Sequence, residues 1–132
     1  MRTTPCDARM RQGRRRKAEQ FYAAASLIAD LADQHDDIAD AYVTLCVHAG
    51  IAAADVLCCA ALGEHAQGES HNDAVSLLSK VDREASRHLG ALLRLKTKSG
   101  YGHTPATPDE FKRAGRAAES LIDKARRTQT SM

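Results

Sequence analysis

The stretch AYVTLCVHAGIAAADVLCCAAL, residues 41–62, decides the fold. Thr44, His48 and Asp55 are the polar interruptions in an otherwise apolar run. A bilayer span needs about 20 such residues, so length alone permits a membrane helix. A charged Asp near the middle of hydrocarbon is costly, however, and much of the run is Ala, Gly and Cys. The stretch therefore reads as a central buried helix of a protein with no membrane partner. A helix apolar almost all round needs neighbours on several sides, within a bundle or across a dimer face.

Outward from it, the pattern is helical throughout. Residues 1–7 are expected as a disordered basic tail and 129–132 as a second tail, around a single domain over 8–128. A first helix is predicted from Ala8 to Asp33, with Phe21, Ala24, Ala25, Ile28 and Leu31 or Ala32 on its apolar face. Asp36 or Asp37 is placed to cap the second helix, which ends at Leu62 with Gly63 as its C-cap. Residues from Gly63 to Ser70 read as a loop. A third helix starts at Ser70 or Asn72, where Ser70 and Asp73 have capping spacing. Ala74, Leu78, Val81, Ala85, His88, Leu92 and Leu95 form its core stripe, and it stops before Ser99-Gly100. Thr107-Pro108-Asp109-Glu110 opens a fourth helix, with Thr107 as N-cap and Glu110 as its reciprocal partner. The fold class is all-α: an antiparallel bundle of about four helices, with a helical dimer interface.

Composition narrows the chemistry. Hydrophobic residues make up 43% of the chain, aromatics 4%, and there is no Trp. Small aliphatic side chains favour close helix packing and argue against a site built of stacked rings for single-stranded bases. Cys6, Cys46, Cys58 and Cys59 lack Cys-x-x-Cys spacing, and Cys58-Cys59 lies in the apolar run. That pattern predicts reduced, buried thiols in a cytoplasmic protein rather than a disulfide framework or zinc site. The basic start is not followed at once by an apolar run, so no secretory signal is read. The net charge of +2 hides a basic N-terminal segment, with Arg14, Arg15, Arg16 and Lys17 in succession, and a second basic region at Lys96 and Lys98. Either attracts a phosphate backbone.

Six histidines occur without the spacing of a metal site, so neither metal nor cofactor is expected. Lys98-Ser99-Gly100-Tyr101-Gly102-His103 sets a cation, a phenol and an imidazole at a helix end, enough to hold a phosphate and offer it a general acid or base. Arg83 and His88 form an alternative pair, although five steps of helix put them about 140° apart. Asp55, the only acid within the apolar stretch 41–62, must be paired, neutral or at a surface, and is placed to orient the other groups.

Four features in order carry a family resemblance: Ala53-Ala54-Asp55, His71 through Leu77-Leu78, Lys96 to Tyr101, and Thr107 to Glu110. Over roughly residues 15–127 the chain resembles the HEPN superfamily, the higher-eukaryote and prokaryote nucleotide-binding domains. The resemblance implies a helical homodimer with its site at the seam. Many members are metal-independent ribonucleases, often toxins beside a nucleotidyltransferase antitoxin, with a motif of Arg, four to six residues, then His. Here Lys98 and His103 stand at the matching place, with Lys96 as the longer spacing, Tyr101 assisting and Asp55 matching the supporting acid. Lys supplies charge without the bidentate fork of Arg. The expected function is a HEPN-like module binding a nucleotide, RNA or protein partner, within a toxin–antitoxin or defence system. A ribonuclease acting through His103 and a structural interaction protein are the alternatives.

Overall fold

The computed structural model describes residues 2–67 and 70–130. Among them are five α-helices: α1 (Ala8–Leu31), α2 (Ala39–Leu62), α3 (His71–Ser79), α4 (Arg83–Tyr101) and α5 (Pro108–Thr130). Two short strands, β1 (Thr3–Pro5) and β2 (Glu64–Ala66), pair antiparallel. The all-helical bundle expected from the sequence is present. Its third helix is divided in two.

The apolar stretch that opened the reading is the centre of the bundle. From Val43 to Cys59, α2 buries residues on nearly every side and packs against α1, α4 and α5. By length and mean hydropathy it is able to cross a membrane, yet most of it is covered by the other helices. At Gly50 the packing is closest: a Cβ there would run into Leu92 Cδ1 of α4 and come within 3.2 Å of Leu121 Cδ1 of α5. Glycine lets three helices meet where alanine would not.

Polar ties at the helix ends fix the direction of the chain. Cys6 and Arg14, at the start of α1, meet Cys59 and Asp55, at the end of α2. Thr44 of α2 bonds Ser99 at the end of α4. Lys124, late in α5, pairs with Asp82 before α4, while Lys98, late in α4, pairs with Glu110 at the start of α5. The long helices therefore run up and down in sequence, as short connections require.

Several local expectations change. Residues 2–6 are not a disordered tail. Thr3 to Pro5 pair with Glu64 to Ala66, Cys6 N donates to Gly63 O at 2.9 Å, and Cys6 is disulfide-bonded to Cys59. The expectation of four reduced thiols fails for this pair, which lies 53 residues apart in sequence. Cys46 and Cys58 are free and buried. The C-terminal tail expected over 129–132 is helical to Thr130; residues 131 and 132, like Met1, lie outside the described residues. No side chain caps α2: Ile38 stands at its N-cap, so neither Asp36 nor Asp37 does so. Gly63 caps the other end in the left-handed region, with φ 70°. Leu31, placed on the apolar face of α1, is 73% exposed.

The break between α3 and α4 has a clear cause. Asp82 adopts an extended conformation and its Oδ1 accepts from Ala85 N at 2.9 Å, starting a new helix. Leu78 and Ala85, seven residues apart and both fully buried, keep the core stripe in phase across the break. The capping box of α5 forms as expected: Thr107 N donates to Glu110 Oε1, and Glu110 N donates to Thr107 Oγ1.

Candidate binding site around Asp55, His71 and Lys96

Steps of three and four along α2 place Thr44, His48, Ile51, Asp55 and Cys58 on one side of the helix. α3 and α4 pack beside it, and the face opens into two recesses.

The first is a cavity of about 140 Å³ between α2, α3 and α4, with Ala66 of β2 at one side. Its apolar lining comes from Ile51, Ala54, Ala74, Leu89 and Leu93. Its polar groups are Asp55, Ser70, His71 and Lys96. The second recess, about 290 Å³, lies between α2 and the end of α4 and is lined by Thr44, Val47, His48, Ser99, Gly100 and Tyr101. Lys96 lines both.

Asp55 is the buried charge of this region, its side chain 15% exposed. Burial pushes its carboxyl above the ordinary range, against the opposing pull of Arg14 and His65. Arg14 Nε of α1 lies 3.5 Å from Asp55 Oδ2. His65 is buried on β2 with Nδ1 2.9 Å from the carbonyl of Ala66. The nearby Cys58 thiol is pushed up to about 12, by burial first and then by Asp55 and Glu64. It is therefore a neutral wall rather than a nucleophile. On the other side of Lys96, His48 is exposed and packs against the ring of Phe21, with centroids 5.3 Å apart.

The residues singled out from sequence divide between several places. Asp55 and Lys96 come together in the cavity. Lys98 does not join them: its Nζ is 2.7 Å from Glu110 Oε1. That hydrogen bond, with a second from Thr107 N, holds the Glu110 carboxyl below its usual range. Lys98 thus fastens α4 to the capping box of α5. Tyr101 is 82% exposed and lines the second recess. His103 is exposed in the connection before α5 and lines neither recess. Arg83 is exposed on the first turn of α4 and His88 is half-buried further along it, both outside the two recesses. Of Arg14, Arg15 and Arg16, Arg14 meets Asp55; Arg15 acts on Glu19 of its own helix, and Arg16 is exposed.

Ser70 and His71 of the first recess, and Thr44, His48 and Ser99 of the second, were not expected as site residues. The spacing 44–48–51–55–58 could have disclosed His48 as a companion of Asp55. Placing Ser70 and His71 needed the path of the chain after Gly63.

No model of a known protein family matches the chain, and a search of curated proteins finds no match to it.

Proposed function

We propose that this protein is a helical binding module whose α2–α4 surface holds a phosphate-bearing ligand, a nucleotide or an RNA strand. The observation that carries the reading is the place of Lys96. It stands between the cavity of Asp55 and His71 and the recess of His48 and Tyr101, so one cation serves both. Imidazole and ammonium groups donate hydrogen bonds to phosphate oxygens, and the ammonium adds charge. The HEPN resemblance points to the same class of ligand. In this reading the working unit is a homodimer, and a nucleotidyltransferase-type protein is a natural partner.

The reading favours binding over cleavage. A Lys98–His103 site would need Lys98 to leave Glu110, and His103 lines neither recess.

The test is fluorescence anisotropy with a short mixed-sequence RNA. Lys96→Ala weakens binding by about tenfold, the worth of one good charged contact of about 1.4 kcal/mol. The logarithm of affinity falls linearly with that of salt, by about 0.7 per phosphate neutralised. Binding indifferent to both salt and Lys96→Ala overturns the reading. RNA that is cut by the wild type but left intact by His103→Ala replaces it with the nuclease.

A further inference from the structure

The smaller cavity is shaped for more than a phosphate. Its volume of about 140 Å³ is close to the ~150 Å³ cavity that accepts a benzene ring. One six-membered ring fills that volume, and a fused purine exceeds it. The walls are aliphatic, from Ile51, Leu89 and Leu93, and suit the faces of a flat ring. At the edge stands Asp55, a carboxylate that accepts hydrogen bonds. Its Oδ2 faces Arg14, and its Oδ1 is the atom we assign to a ligand. Lys96 supplies a cation and His71 an imidazole on the same lining.

Resting on the phosphate-binding reading above, we infer that this cavity is a base pocket for cytosine, carried as a cytidine phosphate. The ring lies between the aliphatic walls, the N4 amine donates to Asp55 Oδ1, and Lys96 with His71 holds the phosphate. Carboxylates recognise cytosine through this amine. Uracil carries a carbonyl oxygen there, and its lone pairs face the carboxylate without a proton between them. Adenine has an amine at the corresponding edge but brings a second ring. Asp55 therefore selects the donor and the cavity selects the size.

The experiment is calorimetric titration of the full chain with CMP, UMP, AMP and GMP, alongside short oligocytidylate and oligouridylate. The expected result is CMP tighter than UMP by about tenfold or more, with both purine nucleotides weaker still. In Asp55→Asn the new amide group can donate to the uracil carbonyl, so the CMP-to-UMP ratio collapses towards one. Ala74→Leu fills the cavity, and abolishes CMP binding without touching the charged groups. Circular dichroism checks that each variant retains its helices. Oligocytidylate bound with free CMP ignored supports the pocket and makes RNA the source of the base. Four nucleotides bound alike, all weakened by Lys96→Ala, overturn the cytosine pocket and leave phosphate binding standing. A cytosine preference unchanged in Asp55→Asn overturns the role of Asp55. No binding of any nucleotide or oligonucleotide overturns both readings.

Discussion

Opening the Cys6–Cys59 disulfide destabilises the fold by about 4 kcal/mol. The link joins residues 53 apart in sequence. In the chain-entropy treatment, closing a loop of that length removes about 14 cal/mol/K from the unfolded chain, which is about 4 kcal/mol at room temperature. The folded state loses less, because other contacts keep the same region in place. Thr3 to Pro5 stay paired with β2, Gln67 N donates to Arg2 O at 3.0 Å, and Arg14 remains beside Asp55. The assay is urea unfolding followed by far-UV circular dichroism, with and without a dithiol reductant. At a slope of about 1.5 kcal/mol per M, the midpoint falls by about 2.7 M on reduction. Cys6→Ser removes the link and leaves the buried Cys59 in place, so it matches the reduced wild type and ignores reductant. Coincident curves for the oxidised and reduced protein would refute the argument. The N-terminal strand would then be held by its backbone pairing, with no help from the covalent link.

Two further outcomes follow from the packing and the charges. Gly50→Ala puts a methyl group against Leu92 and Leu121 and destabilises by about 1–3 kcal/mol, read from the urea midpoint; an unchanged midpoint would mean that α4 and α5 are free to move apart. Asp82 and Glu110 sit below the usual carboxyl range, held there first by hydrogen bonds from Lys124 and Lys98. Groups lowered in the folded state contribute stability that is complete above their unfolded values and lost as pH falls through the folded ones, so stability drops below about pH 4. Asp55 is raised and has the opposite sign: its contribution is largest in acid and is lost as pH rises through its folded value. Asp55→Asn therefore leaves stability at neutral pH equal or higher while steepening the acid loss, and a large loss at neutral pH would show that its pairing with Arg14 outweighs its burial.

Much of the architecture is legible in local sequence because its causes are local. The capping box at Thr107 and Glu110 is written in four adjacent residues, and the burial of α2 in its nearly uniform apolarity. The division at Ser79 to Arg83 escaped because the apolar stripe stays in phase across it; its one local sign is Asp82, an N-cap residue within a continuous periodic pattern. The disulfide escaped for the opposite reason. Cys6 meets Cys59 only when α1 doubles back along α2, and spacing in sequence carries no record of that. β1 and β2 are three residues each, too short for alternation to show. At the site, Asp55 and Lys96 were legible as chemistry without a location. His71 joins them because the chain turns at Gly63, pairs as β2 and enters α3 beside the cavity.

Lys96 and Lys98 show how far two neighbouring cations can differ in purpose. Two residues along a helix turn by about 200°, so their side chains leave α4 on nearly opposite sides. Lys98 meets Glu110 at 2.7 Å and secures the start of α5, whereas Lys96 lines both recesses of the α2 face. Read as a single basic patch they would be interchangeable, each lending charge to the same phosphate. The geometry makes them separable. Lys98→Ala lowers stability by about 1 kcal/mol, as removal of a partly buried charged hydrogen bond does, and leaves RNA affinity within about twofold. Lys96→Ala leaves the urea midpoint where it was and lowers affinity about tenfold. Equal losses of affinity in the two variants would return the site to the helix end, beside Tyr101 and His103. Opposite patterns in stability and binding would fix it on the face that Asp55 shares.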